Sequence, residues 1–264
     1  MKTRAAVAAL ALTAVLACRS HIAEAFRPFD GTDAAVADPG DVEIELGPVE
    51  YLREAADRML LAPDLRINYG FASAWEVTVE GNLTHALGSD LPGTSLVGAM
   101  ADLKTVWREG VLQDKPGASI GTEFSVLLPG TPDDHGTGIE LDAIVSQRWG
   151  RVTTHLNLAA ALTRDQQFDY FLDTIIEGPY DWPVRPVCEF FYEREVGQFA
   201  EGSGLIGAIW QVNDKVAVDF GLRGARINDH TAGEIRAGVT FAFGVPKWLG
   251  LPPRSAAAMR RGGS

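Results

Sequence analysis

The stretch "EIRAGVTFAFGV", residues Glu234–Val245, has two unlike sides. In an extended chain Ile235, Ala237, Val239, Phe241, Phe243 and Val245 share one face. Glu234, Arg236, Gly238, Thr240, Ala242 and Gly244 share the other. Alternation with a period of two marks a strand lying between two different media. The apolar side packs on a protein core or faces lipid, and the rest of the chain decides which.

The alternation recurs over Trp75–Leu87, Val97–Trp107, Ala118–Leu128, Ile139–Trp149, Val152–Leu162 and Val216–Arg226. In these segments and the C-terminal one, the polar face carries Glu76, Glu80, Asp102, Lys104, Glu123, Glu140, Asp142, Arg148, Asp219, Arg223 and Arg236. The apolar face carries Arg226 alone, at a strand end where its head can snorkel into an interface. Weaker alternation marks Asp41–Tyr51, Asp64–Phe71, Phe168–Ile176, Val184–Glu195 and Leu205–Asn213. These segments add Arg185, Glu189 and Glu193 to the polar set. The sum is about 12 strands of roughly 8–13 residues, near the length a tilted membrane strand needs. No stretch between Asp41 and Val245 has helical periodicity over three turns. Segregation this sharp exceeds what a soluble sheet requires. It predicts an all-β fold, a transmembrane antiparallel up-and-down β-barrel over residues 41–245, with lipid outside and the charged residues lining a lumen.

Two further patterns support this orientation. Turn-like connections at Ala72–Ala74, Asp114–Gly117, Gly150–Arg151, Gly178–Trp182 and Asn213–Lys215 alternate with loops at Gly88–Ser95, Pro129–Gly138 and Val196–Gly204. Outer-membrane barrels have short periplasmic turns and longer outside loops. Trp75, Trp107, Trp149, Trp182 and Trp210 all lie beside a short turn, and Trp248 follows the last strand. They predict a periplasmic-side aromatic girdle at headgroup depth. By the same faces, Lys at Val239 or Leu156 should be costly and Lys at Thr240 tolerated.

The N-terminus reads as an export signal over residues 1–25. Lys2 and Arg4 precede an apolar run from Ala5 to Ala17, and Ala23–Ala25 offers a cleavage site. The run is shorter than the roughly 20 residues a spanning helix needs. A degenerate lipobox ending at Cys18 is the alternative. Residues 26–40 then form an N-terminal periplasmic segment, and residues 246–264 a flexible periplasmic tail. Removing residues 1–25 takes the net charge from −12 to −14. Such acidity argues against nucleic acid or anionic lipid as a partner. With Cys18 removed, Cys188 has no intramolecular partner, and no zinc-type cysteine spacing exists.

The chain resembles the meta-pathway of phenol degradation family of Gram-negative outer-membrane, transporter-like β-barrels. The resemblance rests on "FRPFDGTDAAVADPGDVEIELG" (Phe26–Gly47) and "ADLKTVWREGVLQDKPGASIGTEFSVLLPG" (Ala101–Gly130). "PVCEFFYERE" (Pro186–Glu195), "IWQVNDKVAVDFGLR" (Ile209–Arg223) and "AGVTFAFG" (Ala237–Gly244) also carry it. It implies a channel or transport role for small solutes, with aromatic or hydrophobic compounds among them, and it transfers no active site. The family's usual terminal aromatic is replaced here by a long tail after Val245. The expected partners are the lipid bilayer, small-molecule solutes and the outer-membrane assembly machinery.

Enzymatic chemistry is not expected. His85 and His155 lack the serine of a His-x-Ser arrangement, and Gly-x-Ser-x-Gly is absent. His155 faces the interior beside Asn157, where a hydrogen-bonded histidine is a more ordinary finding than a titrating gate. The groups at Pro132–Gly136 and Asn228–His230 read as turns, so no metal or cofactor is expected. A closed barrel that is structural or binds a ligand is the alternative to a channel, and a lipid hydrolase a distant third.

Overall fold

The structure is a computed structural model describing residues 27–88, 93–131 and 135–245. The expected signal peptide, Cys18, Trp248 and the tail 246–264 lie outside the described residues. The strands are β1 (Asp41–Gly47), β2 (Glu50–Glu54), β3 (Asp57–Ala72), β4 (Trp75–Ala86), β5 (Thr94–Arg108) and β6 (Ser119–Leu127). They continue as β7 (Gly138–Trp149), β8 (Val152–Leu162), β9 (Phe168–Glu177), β10 (Val184–Glu195), β11 (Phe199–Asn213), β12 (Val216–Ile227) and β13 (His230–Gly244). Each pairs antiparallel with its sequence neighbours, and β13 returns to β1 and β2, closing the sheet.

Thirteen strands make twelve staves, because β1 and β2 are one interrupted stave. Both pair with β3 in one register: Gly47 faces Asp64 and Glu50 faces Leu61. Pro48 therefore falls opposite Pro63, and neither can donate to the ladder. On the other side, Leu46 pairs with Val239 but Tyr51 with Ile235, a slip of one residue across the same break. The barrel predicted from alternation is thus present, with a bulged first stave.

Two strands begin earlier than alternation indicates. The run Leu60–Leu61 and Pro63 hide the start of β3, which turns back at Ala55–Ala56. At the start of β11 the outward residues are Gly202 and Gly204, so no apolar beat marks them. Consequently the expected loop Val196–Gly204 shrinks to residues 196–198. The contrast between short turns and long loops is weak. The longest connections, 109–118 and 128–137, lie at opposite ends.

The burial pattern is inverted relative to a soluble protein. Ile206 is 64% exposed and Leu158 59%, with Leu141, Phe190 and Phe220 also on the outer surface. The buried set includes twelve Asp or Glu residues against Arg27, Lys104 and Arg236 among the described residues. One apolar inner cluster joins Val187, Ile209 and Ala217, with Phe29 packed against it, and Ile144, Ile175 and Leu205 are also buried. Without a surrounding apolar medium, such an outer surface would far exceed the patches soluble monomers tolerate.

The N-terminal segment departs from expectation. Residues 26–40 were expected to form a periplasmic segment ahead of the barrel, yet Arg27, Pro28, Gly31, Thr32, Ala34, Ala35 and Ala37 are buried, and their contacts are with the barrel's inner wall. An irregular segment carries backbone donors and acceptors that demand partners, and the polar lumen supplies them.

Candidate functional site in the barrel lumen

From Ala37 back to Arg27 the segment makes a circuit of the inner wall. The Ala37 N–H donates to Glu76 Oε2 on β4 at 2.6 Å. Ala34 donates to Ser146 Oγ on β7 at 2.9 Å, and its carbonyl accepts from Gln113 at 2.9 Å. Asn157 on β8 grips the Thr32 backbone twice, accepting its N–H at 3.0 Å and donating to its carbonyl at 2.9 Å. Lys104 on β5 donates to Thr32 Oγ1 at 2.9 Å and lies 3.6 Å from Asp33. Glu189 Oε1 on β10 accepts two adjacent backbone N–H groups, of Asp30 and Gly31, each at 2.8 Å.

The start of the segment is held by charge. Asp30 lies 2.9 Å from Arg236 and 3.6 Å from Arg223, and Arg236 also donates to the Pro28 carbonyl at 2.8 Å. Arg236 is itself fixed by Glu234 at 2.9 Å, which also meets Arg223 at 3.1 Å. Arg27 is bonded to Asp64 and Glu50, lies 3.7 Å from Asp219, and donates its backbone N–H to Glu45 at 3.2 Å. Charge-assisted hydrogen bonds are the stronger kind, and in a low-dielectric wall a lost partner is costly.

The wall makes room with glycines. A Cβ at Gly70 would sit 2.1 Å from the Ala37 carbonyl oxygen, and one at Gly238 2.3 Å from Arg27 Nε. Gly221 similarly abuts Pro28, and Gly31 in the segment abuts Asp173. We expect Gly70→Val to expel the segment while leaving the ladder intact. Proteolysis within residues 27–38 of the folded barrel should then be on the order of tenfold faster or more. Unchanged cleavage would show that the segment does not need that space.

Every charged residue that alternation assigned to the lumen has inward parity. Glu76, Lys104, Glu189, Arg223 and Arg236 touch the segment, as above, and Asp219 lies beside Arg27. Glu80 and Glu123 flank Arg66, at 2.7 and 3.3 Å. Asp102 and Asp142 are buried, and Asp142 accepts the Leu158 N–H at 3.0 Å. Arg185 lies 3.2 Å from Glu177. The Arg148 guanidinium stacks over Tyr180 at 4.1 Å. Glu140 and Glu193 line a cavity at the mouth opposite the tryptophans. Sequence reasoning missed Arg27 and Asp30, which have no periodicity to announce them. It also passed over Arg66, Glu177 and Glu201, whose parity with neighbouring lumen residues would have revealed them.

His155 is hydrogen bonded. Its Nδ1 lies 2.8 Å from Ser146 Oγ, and its Nε2 lies 3.4 Å from Glu177. This Ser–His–Glu row resembles a nucleophile relay, but Ser146 is 0% exposed and its oxygen accepts the Ala34 N–H. In this arrangement the row is a docking post for the segment.

The tryptophans cluster at one end. Trp75 and Trp107 meet edge to face at 6.5 Å, and Trp149, Trp182 and Trp210 expose about half their surface or more at the same rim. Trp107 and Trp149 each donate an indole N–H to a threonine on the next strand, at 2.8 and 3.0 Å.

An apolar exterior, a charged interior and complete closure define a fold class, the antiparallel barrel of the kind that spans bacterial outer membranes. Solved structures agree. An outer membrane channel from Pseudomonas putida F1 superposes with a TM-score of 0.63 at 9% identity, covering 81% of this chain and 100% of that one. The KdgM porin gives 0.52 at 12% identity, covering 76% and 99%. At such identities the likeness is one of fold. No family model and no curated protein matches the chain.

Proposed function

We propose that the chain spans the outer membrane as a channel for small polar solutes, closed in the state described by its own residues 27–38. One observation carries this reading. The segment fills an acid-rich lumen and is held by wall side chains rather than by a strand ladder. Side-chain contacts exchange for water one at a time, whereas a ladder strand leaves as a cooperative unit. The tryptophan rim then sits at the periplasmic interface, and Leu158 and Ile206 face acyl chains.

The lining favours cationic or zwitterionic solutes. Buried carboxylates outnumber buried bases, and a lumen walled by one sign of charge concentrates the opposite ion. Aromatic or hydrophobic solutes, the other expectation, would meet inner apolar residues such as Ile144, Ile175, Leu205 and Phe191 interspersed with buried carboxylates rather than an uninterrupted apolar lining. Planar bilayers across a potassium chloride gradient test this: the reversal potential should report cation preference once the segment is displaced. Anion preference would overturn it. Liposome swelling should run faster with amines than with sugars or aromatics of similar size. The second reading, a permanently closed structural or ligand-binding barrel, draws support from the density of contacts to the segment. It expects no conductance under any condition.

A further inference from the structure

At the rim opposite the tryptophans, β5 to β10 enclose a cavity of about 340 Å³. Its wall carries the carboxylates of Glu140, Asp165, Asp169, Glu193 and Glu195. The base among the described lining residues, Arg164, turns two donors toward the protein, to the Leu128 carbonyl at 2.7 Å and the Ala99 carbonyl at 2.8 Å. It thus ties the 163–167 connection to the neighbouring strands.

A ring of acids alone is ordinary surface. Asp169 separates this one from that case. It is only 6% exposed, and its Oδ2 is buried without a hydrogen-bond partner among the described residues. A desolvated carboxylate oxygen with no donor is unfavourable, and a donor brought by a ligand relieves the cost. Asp169 is itself part of the cavity wall, so a small turn of its carboxylate would bring that oxygen to a donor held there.

The rest of the wall narrows the ligand. No three Asp, Glu, His or Cys side chains among the described residues converge as a metal shell would. The acids are spread around the space, so they suit separate positive centres rather than one ion. The same wall includes Met100, Leu127 and Ala161, which offer apolar contact to methylene groups. The volume is at the small end for organic ligands. We infer that this vestibule binds short linear diammonium ions, one ammonium at Asp169 and the other on the Glu140–Glu193–Glu195 side, with the alkyl chain along Met100 and Leu127. The inference deepens the channel reading by naming the solute class at the channel mouth.

Titration calorimetry on the detergent-solubilised, folded barrel tests it with four probes: 1,5-diaminopentane, n-pentylamine, 1,5-pentanediol and magnesium chloride. We expect saturable 1:1 binding of the diamine, weaker binding of the monoamine and none of the diol. Asp169→Asn with Glu193→Gln should weaken the diamine by about tenfold or more, as expected for losing charge-assisted contacts. Glu195→Gln alone, a milder change, should weaken it less. Glu109→Gln, exposed at the tryptophan end, should not. Equal affinity in the double variant, or equal competition by magnesium, would overturn the site and leave only general charge screening. If the double variant does not fold, as judged by its heat-modifiable migration, Glu195→Gln decides. Because calorimetry does not depend on passage, binding without conductance defeats the channel and keeps the site. Conductance without binding does the reverse.

Discussion

Deleting residues 27–38 should turn a nearly silent barrel into a conducting one, raising mean conductance on the order of tenfold or more. The complementary experiment locks the segment in place. A Cβ built at Gly121 lies 3.7 Å from the Ala34 Cβ, inside the range a disulfide spans. That Cβ also comes within 3.0 Å of the Thr105 carbonyl, so the wall must give by a few tenths of an ångström. In a Cys188→Ser background, Ala34→Cys with Gly121→Cys should form a barrel that shows no openings when oxidised. Reduction should restore whatever activity the native chain has. The deletion removes Arg27 together with Asp30, Asp33 and Asp38, a net change of +2, and leaves Glu50, Asp64 and Asp219 without their Arg27 partner. A deletion variant as silent as the locked one would mean that wall side chains, not the segment, close the lumen. A locked variant that conducts would mean that solutes pass beside the segment.

The second large effect concerns orientation. Ile206→Lys, at the middle of β11 and fully outward, should cost about 2–4 kcal/mol in a bilayer. Glu140→Lys, on the vestibule wall where water reaches, should cost far less and even relieve crowding among the acids. Denaturant titration of refolding into phospholipid vesicles reads the difference. Equal costs at the two sites would contradict lipid outside and water inside. Thr240, the position where alternation alone would permit a lysine, is not a suitable comparator. It is 0% exposed, facing inward but with no room. Parity tells which way a side chain points and says nothing of the space it meets.

That distinction runs through the whole molecule. Staves, their order and their two faces were legible because strand geometry repeats every two residues, and each charged residue assigned to the inner face has that parity. The tryptophan rim was legible for the same reason, since a rim position is a strand end. The break in the first stave was half legible. Pro48 and Pro63 are visible, but their opposition needs the register of β1 and β2 on β3.

The filling of the lumen was not legible. Residues 26–40 have no period, and their small side chains and three aspartates suit a solvated linker as well as a segment threaded inside. The signal that existed lay elsewhere, in inner-face glycines at 121, 221 and 238, which read simply as the polar side of a strand but clear room for Ala34, Pro28 and Arg27 of the segment. A closed wall with an oily outside and an acidic inside follows from alternation alone, because alternation is a local property of neighbouring residues. That the segment from Arg27 to Ala37 occupies this interior emerges only when the closed barrel is assembled. The contacts responsible join Pro28 to Arg236 and Gly31 to Glu189, separations of 208 and 158 residues that no local pattern encodes.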